Sequence, residues 1–438
     1  MESFDRDSIR EVRRSKKNLL REAENSWKAF GSYEKIAGPK GTNMTWKWTR
    51  RGMLRNALGV TAGVAASNLL ATKGLLAQGQ SDALTGRERG ELGRMVAEFK
   101  RKFSVPGFSV AISKNGQFVY DRAFGAADRK DAALTQESSL FRIASVSKPI
   151  TSVTVFHLVE QGKLNLNDKV FGPSGILGPK FAKAPFKPYV TDVTVDNLLT
   201  HTSGGWPNDN TDPMFQHDGW DHQKLISWAV ETLPLTYPPG QHWAYSNFGY
   251  CVLGRVIEQV TGQPYDSYVK ANILAPCGVN DMNIAKNKEG QAYPNEVTYY
   301  GQYSENPYDM NVTRMDSHGG WIATASDLVQ FLDHIAGFGG QTPLLKPETV
   351  RQMVTPAAAY PANSPAKYAR GWMVRNDGKG NWWHGGSLPG TTTIMVRTAS
   401  GLSWAALTNT RTEPHDEMDS ALDHLIWQMA RSVPEWGA

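Results

Sequence analysis

Ser145 and Lys148 stand three residues apart in the stretch Phe141-Arg-Ile-Ala-Ser-Val-Ser-Lys-Pro-Ile150. An alcohol is a weak nucleophile until a neighbour takes its proton, and an amine held in a dry pocket beside it can do so. Three residues is close to one helical turn, so on a helix starting at Ser145 the two side chains share one side. The unpaired N–H groups and positive dipole end of such a helix would surround the hydroxyl. Pro149 would cost little in a first turn that has no N–H partner to lose. The chemistry these residues could do is nucleophilic attack, with Ser145 as nucleophile and Lys148 as base. The pair alone is weak ground, because Ser-x-x-Lys arises about once by chance in a chain this long at average composition. Two further stretches add donors: Tyr245-Ser246-Asn247 after a Pro-Pro-Gly break, and His384-Gly385-Gly386-Ser387 at the end of a predicted strand. Taken singly, Tyr245 and Asn247 read as routine cap residues, and His384 as support for a strand end.

The elements that must position these groups follow from periodicity and turn signals. Residues 87–103 alternate charged and apolar positions at helical spacing, and 107–120 read as two strands around Asn115-Gly116. A helix follows Ser145. Residues 194–204 read as a short helix stopped by Gly204, and 205–221, rich in Asn, Asp, Gly, Pro and Trp, as a long surface loop. Helices are predicted over 222–231, 248–260, 325–335 and 346–353, with 280–315 aperiodic. Strands are predicted over 369–374, 381–385 and 391–407, the last a hairpin about Ser400-Gly401, before an amphipathic helix at 417–430. This order predicts an α+β chain, an α/β/α sandwich. Strands from both ends form one antiparallel sheet, with the terminal helices on one face and a mostly helical lobe, about residues 155–355, on the other.

The chain has 438 residues and a net charge of +5, unevenly spread. Residues 1–77 hold 15 Lys+Arg against 7 Asp+Glu, and the remainder holds 32 against 35. A mildly acidic body argues against nucleic-acid binding. Two cysteines, Cys251 and Cys277, exclude a disulfide scaffold and a Cys-based zinc site, leaving open whether they pair or stay as buried thiols. His217 and His222 flank Asp218 and Asp221 but lack a third clear ligand, so no metal is expected, and His201 reads as structural. Residues 1–48 form a charged extension. Residues 49–77 then carry Arg50-Arg51, Met53-Leu54 and a weakly apolar run over 57–70, broken by Asn68 and Lys73. They resemble a twin-arginine export signal rather than a permanent membrane span, with cleavage after Ala71 or Ala77. The expected location is periplasmic or secreted, with membrane contact only in transit. A flexible basic leader is the plainer reading, and Met44 is a candidate start that would make 1–43 an over-long extension.

In their order and spacing the three stretches resemble the serine β-lactamase and penicillin-binding-protein superfamily, specifically its class C β-lactamase, D-Ala-D-Ala carboxypeptidase and family VIII esterase branch. The resemblance runs from about residue 84 to about 431. Leu198-Leu-Thr-His-Thr-Ser-Gly204, Gly319-Gly320 ahead of Ala325-Ser-Asp-Leu328, and Gly390 carry it further. It implies a cofactor-free hydrolase domain with an acyl-enzyme on Ser145, and proton traffic shared by Lys148 and Tyr245. It implies that Asn247 binds a substrate amide or Lys148, and that the backbone N–H groups of Ser145 and Ser387 form an oxyanion hole. His384 and Gly386 would contact substrate, the glycine by letting the backbone approach it.

The third stretch departs from the Lys-Thr-Gly of class C β-lactamases. Histidine is only partly charged near neutrality, and Gly385 has no hydroxyl, so the grip on a substrate carboxylate is weakened. The expectation is an esterase or amidase acting on a small ester, amide or peptide. The alternatives are a carboxypeptidase, a class C-like β-lactamase, or a sensor that acylates without turnover. If His384 meets a carboxylate as a cation, activity on anionic substrates falls as pH rises past its pKa. Trp206, Trp220, Trp243, Trp321 and Trp383 are candidates for an acyl pocket, though most read as ordinary packing. The sequence carries no signal for oligomeric state.

Overall fold

Asn115 and Gly116 both take left-handed backbone (φ 49° and 80°), the two-residue turn whose hand matches the twist of paired strands. That turn lies in the computed structural model, which describes residues 84–303, 305–375 and 380–436. The expected charged extension and export signal lie outside the described residues. The turn joins β1 (Gly107–Lys114) to β2 (Gln117–Asp128), and β3 (Ala133–Leu134) extends the same edge. β4 (Phe141–Arg142), β5 (Asn283–Ile284) and β6 (Trp321–Ala323) form a small separate sheet in the order β4-β6-β5. The C-terminal strands are β7 (Ala366–Tyr368), β8 (Met373–Arg375), β9 (Trp382–Leu388), β10 (Thr391–Arg397) and β11 (Leu402–Thr408). The large sheet has eight strands in the order β3-β2-β1-β11-β10-β9-β8-β7. The first long strand and the last are therefore neighbours, antiparallel from Phe108↔Thr408 to Lys114↔Leu402.

Period-two alternation assigns the sheet's faces. Val110 and Ile112 of β1, with Trp404 and Ala406 of β11, pack against α1 (Gly86–Lys102) and the C-terminal helix Asp416–Ser432. Ala111, Ala405 and Leu407, one residue out of phase, join the core of the helical lobe. That lobe contains α2 (Ser147–Glu160), α3 (Val195–Leu199), α4 (His222–Thr232), α5 (Asn247–Thr261), α6 (Tyr265–Val269), α7 (Ala325–Ala336) and α8 (Pro347–Met353), and the C-terminal helix is α9. α2 is buried on all sides from Ser147 to Phe156, as a helix without a polar stripe must be.

Three expectations are corrected here. The α-helix starts at Ser147, not Ser145: residues Ala144–Val146 form one 3-10 turn, and Ala144 sits at φ 48°. α3 ends at Leu199, well before Gly204, after a capping box between Thr194 and Asn197. Most of the strand expected over 369–374 is instead the turn between β7 and β8: Ala369 N–H donates to Trp372 O (2.8 Å), Gly371 is left-handed (φ 84°), and Arg370 pairs with Asp196 (Nε–Oδ1 2.5 Å).

The stretch 205–221 departs most from its prediction. Trp206, Asp212 and Met214 are buried. Its backbone is held from within the protein by Arg314, on the short turn Val312–Met315. Arg314 Nη1 donates to His217 O and Trp220 O (both 2.8 Å), and Nη2 donates to Met214 O (2.9 Å) and Gln216 O (3.0 Å). A polar segment can be inward when its carbonyls find donors there. Cys251 and Cys277 are separate buried thiols.

Candidate active site

Ser145 lies on the 3-10 turn that enters α2. Two tethers fix the turn from outside: Ile143 N–H donates to Trp321 O (3.0 Å), and Thr393 Oγ1 of β10 donates to Ile143 O (2.9 Å). With Ala144 left-handed, the backbone just before the serine is strained and is kept so by these neighbours. Lys148, one turn into the element, is fully buried. Its Nζ is 3.1 Å from Ser145 Oγ, 2.7 Å from Asn247 Oδ1 and 3.0 Å from His318 O. It also lies 4.7 Å from the centre of the Tyr245 ring. The structure thus brings Ser145, Lys148, Tyr245 and Asn247 together, across 99 positions between Lys148 and Asn247.

The protonation of Lys148 decides what this cluster can do. Burial pulls its pKa down to about 7, with the Asp212 carboxylate opposing the fall. As an ammonium it donates to all three oxygens. As a neutral amine it has two hydrogens, and Asn247 Oδ1 and His318 O can only accept. Its lone pair is then left for the Ser145 hydroxyl, which is the geometry of a base facing a nucleophile.

Around this pair the helix ends matter. Ser246 caps α5 by accepting from Gly249 N–H (3.0 Å), which sets Asn247 at the helix start and Tyr245 just before it. His201 Nδ1 accepts the Ser246 N–H (3.1 Å), and its ring lies 4.3 Å from the Tyr245 ring and 4.4 Å from that of Tyr368. His201 is thus a support for the Tyr245 segment. Burial and nearby Lys148 hold it well below the usual histidine range, so it is neutral.

The third stretch is placed differently from its prediction. His384 is 2% exposed. Its Nδ1–H donates to Gly385 O (2.6 Å), and Nε2 accepts from the Tyr368 hydroxyl (3.1 Å). Burial, and then Lys148, depress its pKa to about 3. The imidazole is therefore uncharged, and the cationic reading of a substrate carboxylate expected of His384 is corrected. Gly386 is also needed for another reason than substrate access. A Cβ there would meet Ile143 O at 2.3 Å and Thr393 Oγ1 at 2.5 Å, so the glycine lets β9 lie directly on the Ser145 turn. Ser387, the next residue, points its side chain to the opposite face, where Arg411 Nη1 approaches Oγ at 3.5 Å. Its strand runs alongside the turn that carries Ser145. β8 pairs with β9 only at Trp382 and Trp383, and from His384 onward that edge has no strand partner among the described residues.

Sequence reasoning missed the residues behind Asn247. Asn247 Nδ2 donates to Asn208 Oδ1 and Asp212 Oδ2, both at 2.8 Å. Asp212 is fully buried, and burial raises its carboxyl to about 6. No spacing rule signals these residues; only the inward loop does. The tryptophans are mostly core. Trp206 packs on Phe171 and Phe248, Trp321 packs on Tyr265, and Trp383 belongs to the face of the terminal helices. His217 stacks on Trp220, and His222 Nε2 faces Arg314 O. Among the described residues no three His, Cys, Asp or Glu side chains group to hold a metal ion.

Comparison with known proteins meets this geometry from outside. A penicillin-binding protein of Bacillus subtilis strain 168 is 27% identical over 354 residues, 75% of this chain and 74% of that protein. Esterase EstB of Burkholderia gladioli is 34% identical over 195 residues, 42% of this chain and 48% of that one. The solved structure of the octameric penicillin-binding protein homologue from Pyrococcus abyssi superposes with a TM-score of 0.63 at 26% identity, covering 77% of each chain. The family model described as Beta-lactamase matches residues 92–426. The expected α+β sandwich is the observed one, and the chain belongs to the beta-lactamase family, whose members are serine hydrolases.

Proposed function

We propose that this protein hydrolyses uncharged carboxylic esters or amides through an acyl-enzyme on Ser145. Ser145 Oγ attacks the carbonyl carbon while its proton passes to Lys148 Nζ. The tetrahedral intermediate collapses, the C–O or C–N bond breaks, and the departing group takes a proton back from the Lys148–Tyr245 pair. Water repeats the sequence on the acyl group. The observation that carries this reading is the buried Lys148 amine, 3.1 Å from Ser145 Oγ, with both of its neutral-form hydrogens engaged elsewhere. The neutral His384 favours substrates without a carboxylate over β-lactams and D-Ala peptides. Similarity to an esterase supports the same direction. Steady hydrolysis of p-nitrophenyl acetate and butyrate, lost in Ser145→Ala, is expected. Nitrocefin turnover faster than ester turnover would make β-lactamase the better description, and a single burst without turnover would make it a penicillin sensor.

Export through the twin-arginine route remains part of this proposal and rests on Arg50-Arg51 and the apolar run that follows. Replacing both arginines by lysine should retain the enzyme in the cytoplasm.

A further inference from the structure

We propose that Asp212 is a positioning residue for acylation: its carboxylate fixes which end of the Asn247 amide meets Lys148, and so aims the Lys148 lone pair at Ser145. This rests on the acyl-transfer reading above. An asparagine side chain can be turned end for end with little change of shape, exchanging donor for acceptor. In the observed orientation Asn247 presents Oδ1 to Lys148 Nζ (2.7 Å) and both Nδ2 hydrogens to Asn208 Oδ1 and Asp212 Oδ2. Asn208 cannot enforce that choice, because its own amide can turn too. A carboxylate can, because it has no hydrogen to offer. Turned over, Asn247 would set a bare oxygen against Asp212 Oδ2, a carboxylate with no solvent exposure. It would also present N–H to Lys148 and take up the lone pair that the Ser145 hydroxyl needs.

Asp212 is itself held. Oδ1 accepts Met214 N–H (2.9 Å), and Arg314 grips the Met214 and Gln216 carbonyls just beyond. Its carboxyl rises to about 6 through burial and stays ionised above that, with Asp209 as the nearby like charge and Lys148 as the opposite one. The imidazoles facing Lys148, His201, His318 and His384, are all held neutral. Among the described residues the phenols Tyr245 and Tyr250 are the other titratable neighbours, with their rings flanking Nζ. Asp212 is therefore the anion that supports a charged Lys148.

The test is Asp212→Asn, assayed with a neutral p-nitrophenyl ester across pH. At pH 8 kcat should fall about tenfold or more with KM within about twofold, because orientation rather than binding is lost. The acid limb of kcat/KM should move to lower pH by about one unit, because the anion favouring the ammonium is gone. A purely structural role would lower thermal stability or the active fraction and leave the limb in place. The double variant Asp212→Asn/Asn208→Asp returns an acceptor-only group to the other Nδ2 hydrogen and should recover most of kcat and the limb. If Asp212→Asn does not fold, the double variant decides alone. A wild-type rate and limb in Asp212→Asn, or no recovery in the double variant, overturns the proposal. Turnover surviving in Ser145→Ala would sink the acyl-transfer reading itself. With that variant dead and Asp212→Asn unchanged, only the positioning role falls.

Discussion

Lowering the pH is the least invasive perturbation of this site, and its effect can be worked from one side chain. Burial of Lys148 depresses its pKa to about 7, so the neutral amine is the form lost as pH falls through that value. A group with that pKa is about nine-tenths neutral at pH 8, about a tenth at pH 6 and about a hundredth at pH 5. If the neutral amine takes the Ser145 proton, acylation should drop about 90-fold between pH 8 and pH 5, approaching about a tenfold loss per pH unit below pH 7. The buried imidazoles do not blur this window, since His384 titrates at about 3 and burial holds His201 and His318 well below their usual range. Asp212, at about 6, is the group inside it, and its protonation would withdraw the anion that favours the ammonium and make the lower part of the limb shallower. The assay is kcat/KM for p-nitrophenyl butyrate at constant ionic strength, which reports the free enzyme, with spontaneous hydrolysis subtracted. A flat profile down to pH 5, or a midpoint near 10, would refute the argument that desolvation makes Lys148 the base.

Two other perturbations probe the scaffold. Gly386→Ala sets a Cβ against Ile143 O at 2.3 Å, a backbone atom that cannot swing aside. It should cost about 1–3 kcal/mol in denaturant unfolding and a larger share of kcat, since the displaced turn carries Ser145; an unchanged kcat would mean strand and turn have slack. Arg314→Met removes the donor to four carbonyls of the 205–221 segment. A loss of about 3 kcal/mol and faster proteolytic cleavage within 205–221 are expected, read by urea titration and by mass spectrometry of the fragments.

What the sequence made legible was local. Asn115-Gly116 demands a particular turn, and Ser145 with Lys148 needs only helical spacing to meet. Tyr245 and Asn247 join them because the Ser246 cap sets both at one helix start. What it hid depends on partners far along the chain. The 205–221 segment has the composition of a surface loop, yet it turns inward because Arg314, 94 to 100 positions away, supplies the hydrogens its backbone needs. The charge on His384 could not be read from its type, because burial against Tyr368 and the nearby Lys148 sets it. Gly386, expected to let substrate approach, has a second role that only the fold shows, as the contact between β9 and the Ser145 turn.

The pairing of β1 with β11 has a consequence for biosynthesis. Gly107 N–H donates to Asn409 Oδ1 across 302 positions. At ordinary translation speeds of about 5–20 residues per second, the ribosome needs about 15–60 s to span that distance. Until β9 and β10 emerge, the Ser145 turn can hold its tether to Trp321 but lacks the one to Thr393 and the contact with Gly386. A nascent chain that stops short of these strands therefore carries Ser145 on an incompletely braced turn, and the arrangement around it is completed only after Thr393 has been made.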